Sequence, residues 1–417
     1  MRASDNRGIR PWRRSARMAV TGGVLMLGLL PARAEEPGLP ETVPEAVKME
    51  QSTALPITAF YDTPATLAST KPGDLLRQEA FTGYTLPAGA SAVRILYHST
   101  EPDGADVATS GVVLVPAGQA PAGGWPVIAW AHGTSGVARA CAPSAMSDVY
   151  YGGLGLSQML EAGFAVVATD YHGLGTAGAH RYMDKTAQAL DVVHSIPAAR
   201  AAVPGLGKSW VVDGHSQGGA AAWGVAELQA RLQDPGYLGA VSVAGATHLA
   251  RLVTHPEETA GAGFYLAWIA YAIHTRSPEA RPEDILSAAG MAHYGDVTTQ
   301  GCWLYGYASY HGVGTAAMVR PGWGDAAPVR SFFEQNAAGA APIRGPIFEI
   351  AGEADSAVPL PGIQETVDRA CRNGQAVTFR RYPGLDHDPA MGETVADQLA
   401  WIRDRFTGKP APGNCPT

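Results

Sequence analysis

Two glycines flank a lone serine and its two neighbours in Gly214-His215-Ser216-Gln217-Gly218. The apolar run Trp210–Asp213 leads into this stretch, and the helix-forming run Ala220–Ala230 leads out of it. A chain that turns this sharply from strand to helix brings the positions two before and two after the bend against each other, where side chains clash. Gly214 and Gly218 meet that demand. The bend lifts the Ser216 hydroxyl above the sheet, and the Gln217 N–H points to where negative charge develops on an attacked carbonyl. Such a nucleophile elbow needs a parallel sheet beneath it.

The strand and helix signals agree with it. A hairpin is expected from Ala92–Tyr97 and Ser110–Val115, with its turn near Pro102-Asp103-Gly104. Strands then alternate with helical segments. The strands are Val127–Ala131, Gly163–Thr169, Trp210–Asp213 and Leu238–Ala244, with helices at Gly155–Ala162 and Thr186–Ala202. The alternation resumes with strand Pro346–Ala351, helix Pro361–Arg372, strand Val377–Tyr382 and helix Met391–Phe406. This pattern predicts an α/β fold, a mostly parallel central sheet with helices on both faces.

Between the two runs, residues 246–343 carry Trp268, Tyr271, Trp303, Tyr305, Tyr307 and Trp323. A segment this long and apolar is not a bare loop. It is expected to fold as a helical lid over the C-terminal edge of the sheet. Phe264–Ile273 would supply the core of that layer and part of an acyl pocket. The domain reading is therefore a core over 60–245, a lid over 246–343 and the rest of the core over 344–417.

The first 34 residues read as a cleavable signal peptide. Several arginines precede the short apolar stretch Met18–Leu30, and Ala32-Arg33-Ala34 fits a cleavage site. Arg13-Arg14 hints at twin-arginine export. Residues 35–59, rich in Pro and Glu, are expected to be a loose leader. The full chain has a net charge of −8, and loss of the arginine-rich start makes the remainder more acidic still. That argues against nucleic acid as a partner and against strong docking on anionic lipid. No phosphate-binding or dinucleotide fingerprint is present, so no cofactor is expected. His172, His180, His248, His255, His274, His293 and His311 share no spacing that suits a metal. The four cysteines, Cys141, Cys302, Cys371 and Cys415, fit two disulfides in an exported chain, with three pairings open.

A serine hydroxyl needs a base to take its proton, and the base needs an acid to fix its tautomer. In a parallel sheet both belong on loops after the last strands. Strand Pro346–Ala351 ends in Gly352-Glu353-Ala354-Asp355-Ser356-Ala357-Val358-Pro359, which makes Asp355 the acid and Glu353 its competitor. Strand Val377–Tyr382 is followed by His387, the expected base; Asp386 and Asp388 face solvent or tune it. The order Ser216, Asp355, His387 is the one this arrangement uses. The second oxyanion donor falls in His132-Gly133-Thr134: the Thr134 N–H, with its hydroxyl as reinforcement and Gly133 as the rival. Asp170 reads as structural, and His215 as a packing residue.

With these residues in place, the chain resembles the secretory lipase family, lipase A type, of the α/β-hydrolases. Further support comes from Phe60-Tyr61-Asp62, Pro72-Gly73-Asp74-Leu75-Leu76-Arg77, Cys141-Ala142-Pro143-Ser144 and Asp170-Tyr171. The elbow departs from the eukaryotic members, which more often carry Tyr and Gly at the places held here by His215 and Gln217; bacterial-type members are closer. The resemblance implies a Ser–Asp–His hydrolase with a helical lid before the acid-bearing strand. It also implies the pairings Cys141–Cys302 and Cys371–Cys415. The expected function is a secreted or periplasmic carboxylic ester hydrolase acting on acyl esters or acylglycerols through an acyl-enzyme. The lid would make transient contact with a lipid interface, and no obligate protein partner is expected. The alternatives are a serine peptidase or acyltransferase on the same fold and, remoter, a non-catalytic binding protein.

Overall fold

The computed structural model describes residues 38–259 and 262–415. The signal peptide read at residues 1–34 lies outside the described residues. Nine strands form one sheet in the order β1-β2-β3-β5-β4-β6-β7-β8-β9. They are β1 (Leu75–Phe81), β2 (Ser91–Thr100), β3 (Asp106–Val115), β4 (Trp125–Ala131), β5 (Ala165–Thr169), β6 (Leu206–His215), β7 (Tyr237–Val243), β8 (Ile347–Gly352) and β9 (Val377–Tyr382). β1, β2 and β3 pair antiparallel, and β3 meets β5 antiparallel. From β5 through β4 to β9 every pairing is parallel. The C-terminal ends of six strands therefore share one edge, and Ser216 follows β6 near the middle of it.

Both sheet faces are covered. All residues of β5 and β8 are buried, as expected for strands sandwiched between helices. On one face, α3 (Lys185–Ala202) and α4 (Gln217–Leu232) pack Ala189, Val192, Ile196 and Trp223 against Val127, Val167 and Val212. On the other, α2 (Leu156–Glu161) and helix Val395–Phe406 pack Met159, Leu399 and Ile402 against Ile128, Val166 and Val241.

Between β7 and β8 lies a cluster of short helices. Its longest, Tyr265–Arg276, is apolar on nearly every side, with Leu266, Trp268, Ile269 and Ile273 buried. That helix shares a core with Val329, Phe332 and Phe333 of helix Ala327–Asn336, and with Tyr182, Met183 and Ala220 from beneath.

Of the loose leader expected over residues 35–59, the described residues 38–59 differ from that expectation. Val43–Thr53 forms α1, whose start carries a capping box: the Glu45 N–H donates to Thr42 Oγ1, and the Glu45 carboxylate accepts the Thr42 N–H. The helix is tied down by Glu50, which accepts from the N–H groups of Cys302 and Tyr305. Other differences are smaller. β1 adds an edge strand beside the expected hairpin. The expected last helix is two, His387–Gly392 and Val395–Phe406.

The disulfides are Cys141–Cys302 and Cys371–Cys415. The second anchors a tail that covers the outer edge of β9. There the Asn414 side chain accepts from the Phe379 N–H and donates to the Phe379 carbonyl, like a neighbouring strand.

Candidate active site

Ser216 sits at φ 59° and ψ −117°, a conformation that only the surrounding close packing sustains. The two elbow glycines explain that packing. A Cβ on Gly214 would strike the Gly218 carbonyl, and a Cβ on Gly218 would strike that of Ala131 at the end of β4. α4 begins at Gln217, so the Gln217 N–H is among the first donors of a helix, free of intrahelical partners and at the positive end of the dipole. The Gln217 side chain is fixed from behind: its Nε2 donates to His180 Nε2 at 3.2 Å, while His180 Nδ1 donates to the His172 carbonyl at 3.0 Å. Burial pushes the pKa of His180 down to about 3, so it stays neutral and keeps that polarity.

The expected acid and base meet. His387 Nδ1 lies 2.8 Å from Asp355 Oδ2. The other Asp355 oxygen accepts from the N–H groups of Ala357 and Val358, and the Asp355 side chain has no exposed surface. Glu353, the competitor, lies at the surface near Arg381. Burial of His387 disfavours its charged form, but the Asp355 carboxylate, with Asp388 and Asp386 nearby, outweighs burial and holds the imidazole above its usual pKa. Asp386 does more than face solvent. It caps helix His387–Gly392 through the His387 N–H and accepts from the Ser356 N–H.

His215, read as packing, is buried, and its ring centroid lies 4.6 Å from that of His387. Its Nε2 faces the His387 carbonyl at 3.1 Å, and its Nδ1 lies 2.7 Å from the Tyr151 hydroxyl. The base therefore packs against the residue that precedes Ser216. Among the described residues, His215, His387 and Asp388 bring possible metal-ligand atoms within 4.8 Å of one another. In that group His387 Nδ1 is bonded to Asp355 and both His215 nitrogens are in hydrogen bonds.

The loop after β4 is held by tyrosines. Thr134 Oγ1 pairs with the Tyr182 hydroxyl at 2.9 Å, and the Thr134 carbonyl accepts from Tyr150 at 2.6 Å. A Cβ on Gly133 would collide with the Tyr151 hydroxyl, which is why glycine is needed there. Ser216 and Thr134 open on a cavity of about 80 Å³, lined by apolar groups that include Leu249, Leu252, Ile269 and Val358.

A strained serine at a helix N-terminus, an Asp–His pair packed against its neighbour and an apolar cavity at its side form the arrangement that ester-cleaving α/β folds use. The chain matches the secretory lipase family over residues 142–414. It belongs to that family. It is thus a carboxylic ester hydrolase with an α/β-hydrolase fold. Among solved structures it is similar to lipase A of Candida antarctica, with a TM-score of 0.71 at 18% identity, covering 87% of this chain and 89% of that one. It is also similar to the rice cell wall degrading esterase LipA of Xanthomonas oryzae, with a TM-score of 0.67 at 17% identity, covering 82% of this chain and 100% of that one. No curated protein matches the sequence.

Three of the segments that carry the resemblance, those with Tyr61, Ser144 and Asp170, share one buried node. Tyr61 and Tyr84 each donate a hydroxyl hydrogen to the Ser144 carbonyl. Asp170 accepts from the Ser144 N–H at 2.7 Å and from the Ser110 hydroxyl at 2.6 Å. Tyr61, Tyr84 and Asp170 thus brace the segment that carries Cys141, and Asp170 makes the structural contacts expected of it. Sequence reasoning missed Tyr151, Tyr182 and His180. Each sits on a loop whose spacing gives no sign of the partner it meets across the fold.

Proposed function

We propose that this secretory lipase cleaves acyl esters through Ser216, His387 and Asp355. His387 takes the Ser216 proton as the hydroxyl attacks the acyl carbon, then passes it to the leaving alcohol. Asp355 fixes the Nδ1–H tautomer and stabilises the imidazolium. The N–H groups of Thr134 and Gln217 receive the oxyanion. Water, activated by the same His387, releases the acid from the acyl-enzyme. The observation that carries this reading is the Asp355–His387 pair packed against the elbow's own His215.

The cavity beside Ser216 supports a short acyl group. An apolar cavity of about 150 Å³ holds benzene. On that scale about 80 Å³ holds roughly three or four carbons. Residues 246–343 act as a lid whose helix Tyr265–Arg276 walls this pocket. The protein is exported, as the family and the two disulfides support, and its signal peptide ends at Ala34.

A fluorophosphonate probe should label Ser216, and Ser216→Ala should lose at least about a thousandfold of p-nitrophenyl ester turnover. A Ser216→Ala variant that keeps near-full activity would overturn the reading. Mass spectrometry of the exported protein should find a chain beginning at Glu35.

A further inference from the structure

Three loops must hold fixed relative positions for the reaction above: the one carrying Thr134, the elbow and the one carrying His387. A single buried pair of side chains touches all three. Tyr151 and His215 are both nearly free of solvent exposure. The Tyr151 hydroxyl lies directly against the Gly133 backbone, where a Cβ would collide with it. The same hydroxyl is 2.7 Å from His215 Nδ1. His215 Nε2 is 3.1 Å from the His387 carbonyl.

These contacts fix one hydrogen-bond direction. A carbonyl only accepts, so His215 Nε2 carries the ring proton and donates to His387. His215 Nδ1 is then bare and must accept from the Tyr151 hydroxyl. The hydroxyl oxygen is left against the Gly133 backbone of the oxyanion loop. We propose that Tyr151 and His215 are positioning residues, a directed relay that sets the loop of the catalytic base in register with the oxyanion loop. This rests on the roles given above to Ser216, His387 and Thr134.

A purely space-filling role would not need this chemistry. Burying a phenol and an imidazole is unfavourable unless every polar atom finds a partner, and a phenylalanine pair fills such space without that demand. Here the three polar atoms of the pair are all bonded, two to each other and the third to the His387 carbonyl, while the hydroxyl rests against Gly133. The tautomer matters most. If the Tyr151 hydroxyl is lost, His215 is free to move its proton to Nδ1. The bare Nε2 then faces the His387 carbonyl, two acceptors in opposition, and the base loop loses its anchor.

The test uses the whole chain. Tyr151→Phe is expected to lower kcat on a short p-nitrophenyl ester about tenfold with KM within twofold. His215→Phe is expected to lower kcat about a hundredfold. His215→Gln, which places an amide donor toward the His387 carbonyl, should recover at least tenfold over His215→Phe. Tyr151→Phe added to His215→Phe should cost little more, because both act through one chain of bonds. A Tyr151→Phe variant with unchanged kcat, or a His215→Gln variant no better than His215→Phe, overturns the proposal. Should a variant fail to fold, ¹⁵N-histidine spectra of the unaltered protein decide it: His215 must be the Nε2–H tautomer, and the Nδ1–H form overturns the relay. Loss of fluorophosphonate labelling in the unaltered protein would instead strike the triad itself.

Discussion

The side chain of Asp386 accepts from the Ser356 N–H at 3.0 Å, so a carboxylate beside the base is tied to the loop of the acid. Gly352, at the end of β8, comes so close to the Leu385 carbonyl that no side chain fits there. The Ala354 N–H donates to that same carbonyl. Asp355 and His387 therefore meet as the ends of two adjacent strands stitched together, and each is held by backbone contacts before their own bond forms. The first consequence concerns which carboxylate acts. Asp355→Asn keeps the shape but leaves His387 without its stabilising charge and should lower kcat by roughly 10³ to 10⁴. Glu353→Gln touches only a surface contact with Arg381 at 3.8 Å and should stay within twofold. Steady-state kinetics on one ester separates the two.

The pH dependence follows from the charges around His387. The imidazole acts as base only when neutral, and Asp355, Asp388 and Asp386 raise its pKa above the ordinary 6.5 against the opposing pull of burial. Activity should therefore rise with pH along an acid limb centred above 6.5. Asp388→Asn removes one of the charges that favour the imidazolium, so its pKa falls and the acid limb moves to lower pH. A kcat/KM profile that is unmoved, or moved to higher pH, would contradict this assignment of the charge.

Chain-length preference should follow the cavity wall. Ile269 from helix Tyr265–Arg276 and Leu252 from the segment after β7 border the space beside Ser216. Turnover across p-nitrophenyl esters of two to sixteen carbons should peak at the short end. Ile269→Ala or Leu252→Ala opens the pocket and should move the optimum to longer acyl groups. A long-chain optimum in the unaltered protein would show that the cap moves away from this position before substrate binds.

The sheet was legible because its signals are local. Apolar runs such as Val127–Ala131 and Leu238–Val243 announce buried strands, and glycine spacing announces the elbow. The meeting of Asp355 and His387 was legible because strand order fixes which loops lie side by side. What sequence hid lies across the fold. Tyr151 meets His215 from 64 positions away, and His215 meets His387 from 172; no periodicity encodes such a pairing. α1 was hidden differently. Its Thr42-x-x-Glu45 capping box and Pro44 are ordinary helix-start signals, masked by a Pro- and Glu-rich composition that reads as loose chain. β1 carries no β-branched residue and half-exposed side chains, so only pairing with β2 makes it a strand.

The C-terminal tail should matter for solubility as well as stability. The Cys371–Cys415 bond closes a loop spanning 44 positions, for which chain entropy gives about 4 kcal/mol of stabilisation. Replacing both cysteines by serine should lower the unfolding free energy by up to about that amount. It also frees the strand-like cover over β9. Bare strand edges invite pairing with another copy, so the variant should associate with rising concentration in sedimentation experiments. Asn414→Ala, which keeps the disulfide but removes the side-chain bonds to Phe379, should show weaker association of the same kind. A variant that stays monomeric would mean that β9 needs no cover.

Stability should also carry a pH signature from Asp213, directly before the elbow in β6. Its side chain is fully buried, and neither carboxyl oxygen has a side-chain partner. Burial pushes its pKa up to about 8, with partial relief from the Gly214 N–H. The unfolded chain releases this proton near 3.8. Between those values the folded state holds a proton that the unfolded state has lost, so each step up in pH favours unfolding. Glu349 in β8, likewise buried, has its pKa pushed up to about 8 and adds to the same slope, although its bond to the Trp223 indole moderates it. Stability contributed by these two groups is therefore present in full below pH 3.8 and lost as pH rises to about 8. Asp213→Asn keeps the shape and removes one ionisation. It should flatten the fall in unfolding free energy between pH 5 and 8.5, with a gain at the alkaline end on the order of a few kcal/mol. Urea unfolding at several pH values measures it, and parallel curves for Asp213→Asn and the unaltered protein would mean that the Asp213 carboxyl is already ionised inside the fold.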